Sequence, residues 1–169
     1  ILIRGPTVFA GYRHDPKANA AAFTADGWFR SGDLGYRDAD GYLFITGRAK
    51  ELLVMPGGKH VTPELVEAHY AQSPFIAEIA VLEADGALVA LVVPDLEGLR
   101  GSPSSRFGQV IRVSLAELSP SLPSFQRISG YAITREPLPR TRLGKYQRFA
   151  IPDIYRRARS GIEDEVPAE

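Results

Sequence analysis

The residues most able to do chemistry are a carboxylate and two cations that stand in glycine-containing stretches. Asp33 lies in Ser-Gly-Asp-Leu, and its carboxylate has enough acceptor sites for two hydroxyl donors. Arg48 carries a forked guanidinium that is always charged, which suits binding of a phosphate. Lys145 follows a glycine in a basic loop, where an ammonium can offset the repulsion between two anions. Each residue also has an ordinary interpretation, as a turn carboxylate or as an exposed cation.

A second glycine-rich stretch, Pro56-Gly57-Gly58-Lys59, separates two apolar runs. Glycines allow a backbone to approach a substrate closely, and they are equally useful in a turn between two strands. Directly after it, Thr62-Pro63-Glu64 is typical of a helix start, with the threonine as N-cap and the proline at the first helical position. The sequence therefore predicts a strand, a turn, a second strand and a helix around these glycines.

Composition excludes several other kinds of site. The chain has 169 residues with 20 basic and 20 acidic side chains, so its zero formal net charge predicts no nucleic-acid partner. The absence of cysteine excludes Cys-ligated metals, and the three histidines, His14, His60 and His69, lack metal-ligand spacing. We therefore predict no metal site in this chain. No apolar run approaches the ~20 residues of a membrane span, so no transmembrane segment is predicted.

The elements that must position these residues fall into two parts. In residues 1–47 the sequence predicts a strand at 1–3, a short helix capped by Asp15, and a hairpin of 34–37 with 42–46. These elements offer too little apolar surface to close a core. We therefore expect this part to be the less stable one.

For residues 48–160 the sequence predicts a small mixed sheet with packed helices, which is an α+β fold. The predicted strands are 52–55, 60–61, 78–83, 88–93 and 131–134, and the predicted helices are 63–72, 107–118 and 152–159. The prolines and arginines of 137–144 predict an extended loop that is too polar to be core. Residues 161–169 form an acidic tail that we expect to be frayed.

The same stretches resemble the signatures of the AMP-forming acyl-adenylate superfamily, which contains acyl-CoA synthetases, luciferases and peptide-synthetase adenylation domains. The matching motifs are Phe29-Arg30-Ser31-Gly32-Asp33-Leu34, Gly47-Arg48-Ala49-Lys50-Glu51, Gly57-Gly58 followed by Pro63-Glu64-Leu65-Val66-Glu67, and Leu138-Pro139-Arg140-Thr141-Arg142-Leu143-Gly144-Lys145. One such motif is weak, whereas all of them in the right order are strong. The resemblance covers residues 5–148.

The resemblance implies a role for each motif. Asp33 would accept hydrogen bonds from both ribose hydroxyls of ATP and of the adenylate, and Arg48 would reach the ribose and phosphate side of the nucleotide. Lys50 matches the hinge about which a C-terminal lid swings between two conformations. The Gly57-Gly58-Lys59 loop would approach the pantetheine arm of CoA, with its lysine near the CoA phosphates.

Lys145 is the residue that the resemblance makes catalytic. In the family's adenylating conformation, the lysine of this motif contacts the carboxylate of the acid and the α-phosphate of ATP. A cation between them offsets like-charge repulsion and stabilises the charge that grows on phosphorus, and losing one such donor costs on the order of 10²–10³ in rate. We expect Gly144 to give the loop the freedom to deliver this lysine.

The resemblance also divides the chain. It predicts 1–47 to be the incomplete end of a large N-terminal adenylation domain, 48–160 to be the C-terminal lid domain, and 161–169 to be a tail. The family's phosphate-binding loop and its adenine and acyl pockets precede this stretch and have no counterpart here. We therefore expect the C-terminal piece of a longer enzyme, inactive by itself, with Mg²⁺ bound by the parent and not by this chain.

The parent is expected to be an acyl-CoA synthetase, which turns a carboxylic acid and ATP into an acyl-adenylate and then transfers the acyl group to CoA. Its motif variants are most similar to the long-chain fatty acid members, so fatty acid, ATP, CoA and the missing N-terminal domain are the expected partners. A cytoplasmic location is expected, with peripheral membrane association of the parent left open.

Two alternative functions stay open at this point. In the first, an acyl–carrier-protein synthetase or a peptide-synthetase adenylation domain uses a carrier's phosphopantetheine in place of CoA. In the second, the chain is a non-catalytic binding module that keeps the lid fold.

Overall fold

The computed structural model describes residues 1–160, which divide into two compact units with a boundary between Leu52 and Leu53. The predicted tail at 161–169 lies outside the described residues. The predicted boundary at 47/48 refers to the domains of the family and stays a prediction. None of the helices in the described part of the chain is long and apolar enough to cross a membrane.

The first unit consists of short strands and one helix. Its elements are β1 (Leu2–Ile3), α1 (Pro16–Ala22), β2 (Phe29–Arg30), β3 (Asp33–Arg37) and β4 (Leu43–Arg48). β1 pairs with β2 and β3 pairs with β4, both antiparallel. Asp15 caps α1 as predicted, because its carboxylate accepts a hydrogen bond from the Ala18 amide at 2.8 Å. No residue of 1–52 is fully buried, so this unit has no core of its own.

The second unit is built on a small mixed sheet. Its elements are β5 (Leu53–Met55), β6 (Lys59–Val61), α2 (Pro63–Tyr70), β7 (Ile76–Ala84), β8 (Ala87–Pro94), α3 (Phe107–Leu118), β9 (Gly130–Ile133) and α4 (Ile151–Arg159). β7 and β8 are antiparallel about a turn at Asp85 and Gly86, and β9 joins β8 in parallel. β5 and β6 form a separate antiparallel pair. The predicted α+β class is confirmed, and the predicted bounds lie within two residues of these.

Two clusters of buried side chains form the core of the second unit. Successive residues of a strand point to opposite faces of its sheet. Ile79 and Val81 of β7 accordingly join one cluster with α2 and α3, whereas Ala80 and Leu82 join the other with α4. Leu138 is 3% exposed and belongs to this second cluster. The prediction of a loop too polar for the core is therefore wrong for Leu138, because its side chain packs in the same cluster as Ile151 and Tyr155 of α4.

α2 begins at Pro63 as predicted, but the side chain of Thr62 makes no capping hydrogen bond. Its buried face consists of Pro63, Val66, Glu67 and Tyr70. Their spacing of i, i+3, i+4 and i+7 is that of one helical stripe. A carboxylate therefore lies on the core-facing side of this helix.

Candidate functional site

Asp33 and Arg48 face each other across the hairpin of β3 and β4. They are partners in the strand register, and Arg48 Nε lies 3.0 Å from Asp33 Oδ1. The Asp33 amide donates to Ser31 Oγ at 3.0 Å, which supports the turn before the strand. The Asp33 side chain is 25% exposed and that of Arg48 is 52% exposed, so solvent reaches both. The hairpin thus brings together the two residues predicted to bind a nucleotide.

Lys50 lies in a short 3-10 turn, Ala49–Glu51, which directly follows β4. The Ala49 amide donates to the Gly32 carbonyl at 2.8 Å, so the start of this turn is tied to the residue before β3. Lys50 is exposed and stands two residues before the first unit ends at Leu52. This is where a hinge between the two units would lie, and the hinge role itself stays a prediction.

The turn Pro56–Gly58 joins β5 to β6, and Lys59 follows it. Gly57 and Gly58 have φ of 80° and 73°, a left-handed conformation that residues with a Cβ rarely adopt. A Cβ built at either position would meet no protein atom within 4 Å. The turn therefore requires both glycines for its backbone and still leaves that backbone accessible. Lys59 is exposed, with its ammonium 5.8 Å from the centre of the Phe125 ring.

Residues 140–146, here called the Lys145 turn, form a tight hydrogen-bonded turn and not the extended loop that was predicted. The Thr141 amide donates to the Lys145 carbonyl at 2.7 Å, and the Gly144 amide donates to the Thr141 carbonyl at 2.9 Å. Gly144 has a φ of 78°, so its glycine serves the geometry of the turn. The expectation that Gly144 also gives the loop freedom stays a prediction. The Lys145 side chain is exposed.

Arg140 supports the Lys145 turn. Its guanidinium donates to the Gly144 carbonyl at 2.8 Å and to Glu78 Oε1 and the Tyr146 hydroxyl at 3.1 Å each. It also lies 4.3 Å from the centre of the Tyr146 ring. Burial works to lower the pKa of Arg140, but its hydrogen bonds and charge interactions with Glu78 and Tyr146 together outweigh this and raise the pKa. Sequence reasoning treated Arg140 as one more exposed cation and missed these contacts.

Arg148 and Glu67 form a bidentate ion pair three residues beyond Lys145. Arg148 Nη1 lies 2.7 Å from Glu67 Oε1, and Nη2 lies 2.8 Å from Oε2. Glu67 Oε1 also accepts the Val81 amide of β7 at 2.8 Å, and Glu64 Oε1 lies 3.3 Å from Arg148. The pair was missed although a signal existed. Glu67 shares the helical stripe of Val66 and Tyr70, and a buried carboxylate requires a buried partner.

Across the described residues 1–160, no group of three or more His, Cys, Asp or Glu side chains could hold a metal ion.

Comparison with known proteins identifies the class. The chain is 35% identical over 161 residues to the indoleacetate–CoA ligase of Aromatoleum aromaticum, a match that covers 93% of this chain and 29% of the ligase. It is 44% identical over 102 residues to the long-chain-fatty-acid–CoA ligase FadD15 of Mycobacterium tuberculosis, covering 60% of this chain and 17% of that ligase. The ATP-bound RpMatB-BxBclM chimera B1 matches with a TM-score of 0.74 at 31% identity, covering 91% of this chain and 30% of that chain. No family model matches the chain.

The homologues of this chain are CoA ligases of the acyl-adenylate-forming superfamily, and the match lies in their C-terminal region. The resemblance inferred from the motifs is therefore confirmed. The chain spans less than a third of the length of each of these relatives.

Proposed function

We propose that this chain is the C-terminal part of an AMP-forming acyl-CoA ligase that activates a long-chain fatty acid. The whole enzyme joins the acid to the AMP portion of ATP with release of pyrophosphate. It then transfers the acyl group to the thiol of CoA with release of AMP. The observation that carries the proposal is the Lys145 turn, which presents an exposed ammonium on a hydrogen-bonded support in a chain whose homologues are CoA ligases.

Lys145 acts in the first half-reaction. Its ammonium lies between the carboxylate of the acid and the α-phosphate of ATP, where it reduces the repulsion between two anions. The positive charge also stabilises the negative charge that grows on phosphorus in the transition state. A tight turn suits this role because a donor that is already oriented need not be ordered during the reaction.

Asp33 and Arg48 bind the nucleotide. The Asp33 carboxylate accepts hydrogen bonds from the ribose hydroxyls, and Arg48 turns from Asp33 toward the ribose and phosphate side. An exposed ion pair of this kind contributes only about 0–1 kcal/mol. Nucleotide binding can therefore open the pair at little cost.

The second half-reaction uses a second orientation of the lid. Lys50 is the hinge, since it stands next to the boundary between the two compact units. The open space beside Gly57 and Gly58 supports the passage of the pantetheine arm along this turn, with Lys59 near the CoA phosphates. The remaining groups, namely the ATP phosphate-binding loop, the acyl pocket and the Mg²⁺ ligands, come from the N-terminal part of the parent, so the chain alone does not turn over.

The fatty acid assignment rests on the sequence identity to FadD15. The match to the indoleacetate–CoA ligase has a lower identity but covers more of this chain, so indoleacetic acid is the competing substrate. The experiment therefore measures ATP–pyrophosphate exchange by the full-length parent with short, medium and long fatty acids and with indoleacetic acid. We expect exchange with the long fatty acids and a loss on the order of 10²–10³ in Lys145→Ala. Lys17→Ala, which removes an exposed lysine of α1, is the matched control and should retain the exchange.

Each arm of this experiment can overturn one part of the proposal. Exchange that survives Lys145→Ala rejects the role of that lysine. Exchange with indoleacetic acid alone replaces the fatty acid as substrate. Acyl transfer to a phosphopantetheinylated carrier protein but not to CoA favours the carrier-dependent enzymes. Absence of exchange with every acid favours the non-catalytic binding module.

A further inference from the structure

The Lys145 turn rests on an open edge of the mixed sheet. Within the described residues β7 pairs only with β8, so no strand is hydrogen-bonded to its other edge. Groups from the segment after β9 cover this edge. The Leu138 amide donates to Glu78 Oε2 at 2.7 Å, and Arg140 Nη2 donates to Glu78 Oε1 at 3.1 Å. The Glu78 carboxylate of this edge strand thus accepts hydrogen bonds from the chain just before the Lys145 turn and from the first residue of that turn.

Arg140 connects this edge to the residue that precedes Lys145. One terminal nitrogen of its guanidinium, Nη2, is held by Glu78 and by the Tyr146 hydroxyl, while Nη1 donates to the Gly144 carbonyl. A guanidinium is planar and rigid, so fixing one side of the fork also fixes the direction of the other. A lysine could not make these contacts together, because its single ammonium sits on a flexible stem.

We propose that Arg140 is a positioning residue for Lys145, holding the Gly144 carbonyl against the edge of β7 so that the next side chain points in one direction. This inference rests on the adenylation role proposed for Lys145. As a positioning residue, Arg140 itself contacts no substrate. Misplacing a reacting group by about 1 Å can cost on the order of 10² in rate, so a positioning residue can matter nearly as much as the cation it orients.

The test compares both half-reactions in the full-length parent for Arg140→Gln, Arg140→Lys, Lys145→Ala and the double variant Arg140→Gln/Lys145→Ala. We expect Arg140→Gln to lower ATP–pyrophosphate exchange by roughly 10- to 100-fold, with Arg140→Lys rescuing little of it. Thioester formation from supplied acyl-adenylate and CoA should stay within about twofold, because Lys145 acts before that step. The double variant should be no worse than Lys145→Ala, since Arg140 acts through that residue.

Arg142→Gln is the matched control. It removes the same charge from the same turn, and Arg142 has no hydrogen-bond or ion-pair partner in the part of the chain that the structure describes. Its exchange should stay within about twofold of wild type, which separates orientation from net charge.

Limited trypsin digestion gives a second readout that does not depend on catalysis. Release of the turn in Arg140→Gln should speed cleavage after Lys145 at least about tenfold over wild type and Arg142→Gln, because proteolysis follows local opening.

Three results would overturn the inference. A double variant worse than Lys145→Ala would mean that Arg140 acts independently. Equal loss of both half-reactions together with a lowered melting temperature would mean that Arg140 only stabilises the fold. An unchanged rate of trypsin cleavage after Lys145 in Arg140→Gln would mean that Arg140 does not hold the turn, even where Lys145 proves essential. Exchange that survives Lys145→Ala would instead reject the proposed function, and the inference about adenylation with it.

Discussion

Two lysine-bearing turns of the second unit use glycine for the same backbone purpose and differ in the side chains that hold the glycine backbone. Gly57, Gly58 and Gly144 all have left-handed φ, between 73° and 80°. A Cβ built at any of these three glycines would meet no protein atom within 4 Å, so the open space beside them is common to both turns. At the Lys145 turn a guanidinium binds the glycine carbonyl and is itself held by a carboxylate and a phenol.

The difference in how the two turns are held indicates what each turn is suited to do. A turn that delivers a charge to a reacting group gains from anchors, because catalysis falls steeply when the charge is misplaced. A turn along which a ligand passes gains from the absence of side chains, because only bare backbone allows close approach. Three changes would break or sharpen this contrast.

The largest expected effect lies in the ion pair that anchors the chain beyond the Lys145 turn. Glu67→Ala removes the acceptor of both the Arg148 guanidinium and the Val81 amide, and it leaves a partly buried cation beside Glu64. We expect the free energy of unfolding of the 169-residue chain to fall by about 3 kcal/mol, measured by urea denaturation. Glu67→Gln keeps an acceptor for the Val81 amide and should lie between the wild type and the alanine variant.

The matched control for this change is Glu97→Ala, which breaks the exposed ion pair of Glu97 with Arg100. It should change the free energy of unfolding by no more than about 0.5 kcal/mol. If Glu67→Ala costs no more than this control, the segment that carries Lys145 is not anchored on the core, and the contrast between the two turns fails.

A smaller, selective effect is expected at the open turn. Gly57→Val places a branched side chain where we propose that the pantetheine arm passes. Thioester formation from supplied acyl-adenylate should fall by roughly 10- to 100-fold while ATP–pyrophosphate exchange stays within about twofold. Gly101→Val is the control, because Gly101 has a φ of 89° and open space beside it, so its backbone strain is similar. Equal losses in both variants would assign the effect to strain and not to a blocked path.

The smallest effect depends on pH. Burial raises the pKa of Tyr146 above its ordinary value of 10.0, and the charge of Arg140 opposes part of that rise. The folded state therefore holds the phenolic proton more tightly than the unfolded state. The resulting stability is complete below pH 10.0 and is lost as the pH rises through the folded pKa.

Tyr146→Phe should accordingly reduce the loss of stability above pH 10.0. Urea denaturation of wild type and variant at neutral pH and at a series of alkaline pH values measures this. The same alkaline loss in both proteins would show that the Tyr146 hydroxyl does not titrate with folding.

Local signals predicted most of the fold. The hairpin of β7 and β8 could be read from Asp85-Gly86 between two alternating apolar runs, and the structure has its turn there. α3 has its predicted bounds, Phe107–Leu118, because its apolar residues recur at helical spacing. These signals succeed because a turn or a helical stripe depends on residues only a few positions apart.

The candidate site was predictable only in part. Motif resemblance located Asp33, Arg48 and Lys145, and the structure pairs the first two across one hairpin. It did not indicate that Lys145 stands on a closed turn or that Arg140 holds it. The partner of Arg140 is Glu78, 62 positions earlier in the chain, and no local pattern connects residues at that separation.

The sequence by itself determined the order of strands and helices, the turns that need glycine, and the family of proteins to which this chain is similar. Tertiary structure alone decided which charges are buried and which are exposed. Arg140, Arg142, Lys145 and Arg148 are equivalent cations in one basic stretch of sequence. In the folded chain Arg140 forms an ion pair with Glu78 and Arg148 forms one with Glu67, whereas Lys145 between them is exposed. The reason is physical, since a charge is stabilised by whatever lies near it in space, and those neighbours are 62 and 81 residues away along the chain.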